Sequence, residues 1–245
     1  MSSQSSLVIE MRFPPFRFVN LLRGVRNKIS SETENTDISN HRIDALVDAF
    51  FAIALTLLIL DIKTFHVESD AELIQKLITL LPKFFTYFLS FAILGLLWFE
   101  HQMVSHYVAR SDRTHIWLNL LFLMSISLIP FSASLLGENL SHPSATTFYG
   151  INLFITGLIQ YFDWEYITRK NRLIDETLNR KLVRSIQKTF LLVALGYAIG
   201  IEASFYSIPV SIVIYSLAIF AGALRMNAIF HQSHEFNQPE VILTK

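Results

Sequence analysis

The chain contains no cysteine. Disulfides, thiolate metal sites and thiol nucleophiles are therefore excluded, although no compartment follows from this. Charge is scarce as well. Asp, Glu, Lys and Arg make up 16% of the 245 residues, against roughly a quarter in an average soluble protein. The two signs balance at 20 each, so net charge gives no reason to expect nucleic acid as a partner. There is no Gly-rich phosphate-cradling loop, no Gly-x-Ser-x-Gly and no pair of intramembrane acids. Nothing in the pattern points to an enzyme. Residues 1–40 lack an apolar stretch followed by a small-residue cleavage site, so this end does not read as a secretory signal.

What the chain has in excess is apolar side chains, at 52% of the total. They are gathered in blocks. A helix needs about 20 largely apolar residues to cross the hydrocarbon core. Six blocks qualify: Ile43–Leu60, Leu80–Phe99 with Pro82 in its first turn, Ile116–Leu136, Phe148–Tyr166, Thr189–Phe205 and Ile208–Phe230. The fifth is the weakest, since Lys188 and Glu202 crowd it from both ends. Its Gly196-x-x-x-Gly200 either admits a neighbouring helix closely or is a coincidence of two small residues.

Lys and Arg favour cytoplasmic loops. With six spans, seventeen of them fall on the side of both termini and three on the other: Lys63, Lys76 and Lys83. Both termini are therefore expected in the cytoplasm. Residues 1–40 read as a cytoplasmic extension, 41–235 as the membrane domain and 236–245 as a short tail. The basic stretch Arg12–Lys28 is interleaved with Phe and Leu. Binding to an anionic membrane surface and disorder are equally compatible with it.

The first span carries Arg42, Asp44 and Asp48. Charged side chains inside a span are functional candidates by default. The plainer alternative is that both acids sit at headgroup depth beside a helix N-terminus, where negative charge is favoured. Beyond them Ile53, Thr56, Leu57 and Leu60 follow the i, i+3, i+4, i+7 spacing and share one stripe. Such a stripe serves packing or lines a pore. Thr56 is its only hydroxyl, and the side chain of a helical threonine often bonds back to the carbonyl four residues earlier.

These residues carry a resemblance. Arg42-x-x-x-Leu46-Val47-Asp48 followed by Phe51-Ala52-Ile53-Ala54-Leu55-Thr56-Leu57-Leu58 resembles the first helix of bacterial relatives of the lysosomal potassium channel, transmembrane protein 175. The family pattern is Arg-x-x-x-Phe-Ser-Asp before an Ala/Ile/Thr/Leu-rich run. The likeness extends through Leu94-Gly95-Leu96-Leu97-Trp98-Phe99-Glu100-His101, Trp117-Leu118-Asn119-Leu120, Ser127-Leu128-Ile129-Pro130-Phe131 and Tyr149-Gly150-Ile151-Asn152-Leu153. Leu46 and Val47 depart from the family Phe and Ser, and Ala49 from its Gly.

The resemblance implies an all-α membrane protein of six helices per subunit, a homotetramer around a central pore lined by the first helix. It implies a potassium-permeable channel without cofactor, potassium being the permeant ion. Ile53, Leu57 and Leu60 would form the apolar constriction, and Thr56 a hydroxyl ring contributing modest selectivity over sodium. Arg42, Asp48, Trp98, His101 and Asn119 would form a structural polar network. Two other classes stay open: a proton leak or proton-coupled transporter using Asp48, His101 and Glu202, and a non-conducting membrane scaffold.

No metal centre is expected. His101 and His106 stand five apart, about 140° around a helix. His231 and His234 share a face but have no evident third ligand. Asp163 and Glu165, at the end of the fourth span, are expected to meet Arg169 or Lys170.

Overall fold

A computed structural model of the chain describes residues 40–174 and 178–236. Among these the regular structure is helical, apart from one isolated bridge between Val108 and Ile174. Seven α-helices follow one another: α1 (Asn40–Leu60), α2 (Asp70–Ser105), α3 (Arg113–Ser127), α4 (Ile129–Glu138), α5 (Pro143–Thr168), α6 (Arg180–Ser204) and α7 (Ile208–Phe236). The stretches 1–39 and 237–245, which hold the expected extension and tail, lie outside the described residues.

Helix α2 starts ten residues before the expected Leu80. The reason is a cap upstream of the apolar block. The side chain of Ser69 accepts from the Glu72 N–H at 3.3 Å, and Glu72 reaches back to the Glu68 N–H at 3.1 Å. Such reciprocal bonds satisfy donors that a helix start leaves orphaned. Pro82 therefore lies inside α2, not in its first turn.

The third span is broken at Leu128. Pro130 cannot donate, and its ring crowds the carbonyl of Ile126, so α3 ends and α4 begins with the proline in its first turn. In an unbroken helix the Ile129 N–H would bond to Ser125 O. Here the Asn152 carboxamide of α5 inserts between them. Its nitrogen donates to Ser125 O and its oxygen accepts from Ile129 N–H and Ser132 Oγ, each at 3.2 Å. A polar side chain in the bundle core thus repairs the break.

Among the described residues five stretches are long and apolar enough to cross a membrane: His41–Leu60, Asp70–Ser105, Arg113–Glu138, Arg180–Ser204 and Ile208–His231. Helix α5 has the length, 26 residues, or about 39 Å. Its polar residues lower its apolar character, yet Asn152, Thr156 and Gln160 are all buried inside the bundle. Helix α6 runs nine residues further toward its N-terminus than the expected Thr189, capped by Asn179, which accepts from Lys181 N–H at 2.9 Å. Glu202 consequently lies in its last turn and is exposed, not deep within a span.

Helix α6 packs most extensively, on α5 and on α7, while α1 rests on α2, α3 and α4. Gly196 and Gly200 face α7 of the same chain, against Ala218 and the Tyr215 ring respectively.

At the end where α2 passes to α3, two loops clasp. Ala109 N–H donates to Leu173 O at 2.8 Å, and Asp112 caps α3 by accepting from His115 N–H at 3.0 Å. The Tyr166 hydroxyl donates to the other Asp112 oxygen at 2.6 Å, with Arg172 Nε 3.4 Å away. Burial pushes the Asp112 carboxyl up, but Tyr166, the His115 N–H and Arg172 outweigh it and hold it below the usual carboxylate range. A depressed folded value means that the stabilisation is present above the unfolded pKa and lost as pH falls through the folded one. Asp112→Ala should remove about 1 kcal/mol of capping. Amide exchange at His115 and Ile116 should accelerate, and unchanged protection would show that the cap contributes nothing.

Candidate ion-conducting face

Helix α1 is apolar on two sides, and packing distinguishes them. Ile43, Val47, Phe51, Ala54 and Leu58, spaced by fours and threes, are buried against the bundle. Val47 is 0% exposed, so the hydroxyl of the family Ser is replaced here by a methyl in the core. On the opposite side Ile53, Leu57 and Leu60 are 56%, 43% and 69% exposed. Thr56 stands among them. Its hydroxyl donates back to Ile53 O at 2.8 Å and lies 3.1 Å from Ala52 O. The proton is thereby used internally. The oxygen is left able to act as an acceptor.

The acids of α1 are met by a stripe on α2. Trp98 Nε1 donates to Asp48 Oδ1 at 2.9 Å, and Gln102 Nε2 donates to the same oxygen. One turn on, Ser105 Oγ donates to Asp44 Oδ1 at 2.5 Å. Trp98, Gln102 and Ser105 are spaced i, i+4, i+7, and Asp44 and Asp48 are spaced i, i+4. Two helical edges face each other across an antiparallel pair.

The other expected members of the network lie elsewhere. Arg42 is exposed, and no hydrogen bond joins it to Asp48. His101 stacks on Phe122 with ring centroids 5.3 Å apart, and its Nε2 is buried without a partner. Asn119 donates to His115 O at 3.0 Å and faces the His115 ring. His115 Nδ1 in turn lies 2.7 Å from Asp163 Oδ1. Asp163 thus meets His115 in place of the expected Arg169 or Lys170. Asp44, His101, His115, Asn119, Gln160 and Asp163 line a cavity of about 30 Å³, room for about two waters. Among the described residues no group of three His, Asp or Glu side chains is placed to hold a metal ion.

Gln102 and Ser105 were not named from the sequence, although their i+4 and i+7 spacing from Trp98 puts them on the same face of α2. The His115–Asp163 pair was not legible, because 48 residues separate its members.

A profile of the endosomal/lysosomal potassium channel TMEM175 family matches residues 42–130. A potassium channel of Streptomyces collinus is 34% identical over 187 residues, covering 74% of this chain and 90% of that protein. The chain belongs to the TMEM175 family.

The crystal structure of a lysosomal potassium-selective channel TMEM175 homolog from Chamaesiphon minutus superposes with a TM-score of 0.67 at 28% identity. It covers 77% of this chain and 98% of that one. In the chicken, the endosomal/lysosomal proton channel TMEM175 is 36% identical over 109 residues, 41% of this chain but 22% of that much longer protein. This TMEM175 relative is thus an all-α, multi-pass membrane protein of an ion-channel family and not an enzyme.

Proposed function

We propose that the chain forms a potassium-permeable channel as a homotetramer, with α1 of each copy turned to a shared axis. The six-span domain 41–235 would sit in the cell membrane with both termini in the cytoplasm, as the Lys and Arg distribution favours. One observation carries the reading. The face of α1 opposite its packed side presents Ile53, Thr56, Leu57 and Leu60, covered by no other described element of the subunit.

On such an axis Ile53, Leu57 and Leu60 form narrow apolar rings that hold water poorly and gate by dewetting. Four Thr56 oxygens, their protons already engaged with Ile53 O, replace part of an ion's hydration. A single hydroxyl ring discriminates less than stacked carbonyls do, so preference for potassium over sodium is modest. Asp48, held by Trp98 and Gln102, fixes how α1 is rotated against α2; Arg42, His101 and Asn119 serve structure at the same end.

The test is the reversal potential of the protein in liposomes under asymmetric potassium and sodium. A value near the potassium equilibrium potential supports the reading, and absence of any current favours the scaffold. A second reading, proton permeation, is motivated by the vertebrate relatives called proton channels; a reversal potential that follows a pH gradient would establish it.

Thr56→Ala should lower the preference for potassium. Losing one hydroxyl ring is worth on the order of 1 kcal/mol, about fivefold in permeability ratio. An unaltered reversal potential would remove Thr56 from selectivity.

A further inference from the structure

Glu100 stands on α2 between Trp98 and Gln102 but projects to the other side of the helix, into the bundle. It is 0% exposed, and neither carboxyl oxygen has a hydrogen-bond partner. It lies in the seam of α2 with α6 and α7. A methyl group placed on Gly222 of α7 would come 2.7 Å from Oε1 of Glu100 and 2.5 Å from Val193 of α6. A larger residue at 222 would therefore displace the carboxyl.

The groups around it offer no counter-charge. From α6, Tyr197 is fully buried, and its hydroxyl is also unpartnered. From α7, the neighbouring buried positions Ile219, Ala223 and Met226 are apolar, and Arg225 is exposed. On α2 itself, His101 turns away to stack on Phe122. An unpaired carboxylate in such a place is strongly penalised, whereas the neutral acid bears only the smaller penalty of a polar group.

We propose that Glu100 is a proton-binding site inside each subunit, occupied while α2, α6 and α7 are packed together and emptied to water when that seam loosens. Its place on α2 gives the site a consequence. Trp98 and Gln102, two residues to either side, hold Asp48 of α1. A shift of α2 on proton loss is handed directly to α1. This coupling rests on α1 lining the pore; the proton site does not.

Infrared spectroscopy of the full chain in lipid tests the site without reference to conduction. At neutral pH the wild type should show a carboxylic-acid carbonyl band that is absent from Glu100→Gln and that fades as pH is raised. Identical acid regions in the two proteins would mean an ionised Glu100 and overturn the proposal. Glu100→Met, apolar and of similar length, makes the same comparison should the glutamine variant fail to assemble. Potassium flux should change over the pH range in which the band fades, and both variants should be flat there. The same pH response in the variants would overturn the coupling. A band difference with no potassium flux from any of the proteins would uphold the site and refute the pore reading instead.

Discussion

Asparagine at position 53 or 57 is expected to raise the conductance of the assembled channel. On the proposed axis each subunit would contribute one side chain to each apolar ring, so one substitution would introduce several amides at the same height. A narrow greasy neck excludes water because its wall returns no hydrogen bonds. Amides return them, and an ion crossing the neck keeps more of its hydration. A barrier lowered by about 1.4 kcal/mol corresponds to roughly tenfold in rate. Potassium flux at equal amounts of oligomer, checked by size exclusion, is the measurement. Leu58→Asn supplies the contrast, because Leu58 is buried in the core and 4% exposed. There the amide is left unsatisfied, which costs about 1–3 kcal/mol of stability and does not raise conductance. Unchanged flux in both Ile53→Asn and Leu57→Asn would place the pathway elsewhere.

Why position 58 behaves differently from 57 was not readable from hydropathy. Val47, Phe51, Ala54 and Leu58 form as good an apolar stripe as Ile53, Leu57 and Leu60, and composition does not say which is turned inward. The family resemblance chose a side, and packing places the first stripe in the core. The six apolar blocks were legible because each is long. Their ends were less so. The Ser69-x-x-Glu72 cap of α2 sits in polar sequence that a hydropathy window passes over, and the charged first turns of α6 fall outside the same window. The third span was read as continuous from Ile116 to Leu136; the break at Pro130 is local, but its repair by Asn152 depends on a helix folded beside it. Asp48 with Trp98 followed from the resemblance, and Gln102 and Ser105 extend the same face of α2. Asn119 is buried and His101 half-buried near that pair, but each is satisfied, or left unsatisfied, by other groups. Which of several nearby polar residues meet is settled by rotamers and helix rotation, which one sequence does not carry.

Enlarging Gly150 or Gly200 is expected to destabilise the subunit more than any change on its surface. The Tyr215 ring of α7 is fully buried between these two glycines, one on α5 and one on α6. A methyl group on Gly150 would lie 2.0 Å from the Tyr215 hydroxyl oxygen, and one on Gly200 would lie 2.4 Å from Cε1. The ring has nowhere to go. Tyr197 and Tyr149 flank it with centroids 6.3 Å away in each case, and its hydroxyl donates to Thr146 O at 3.3 Å. Overpacking a dense core costs about 1–3 kcal/mol per site, so Gly150→Ala and Gly200→Val should each lower the melting temperature in detergent by several degrees. The cause is the ring itself, which a double-mutant cycle isolates. Tyr215→Leu opens space, and combining it with Gly200→Val should recover part of the loss, with a coupling of about 0.5–3 kcal/mol. Strictly additive effects would show that the ring is not what the two glycines make room for.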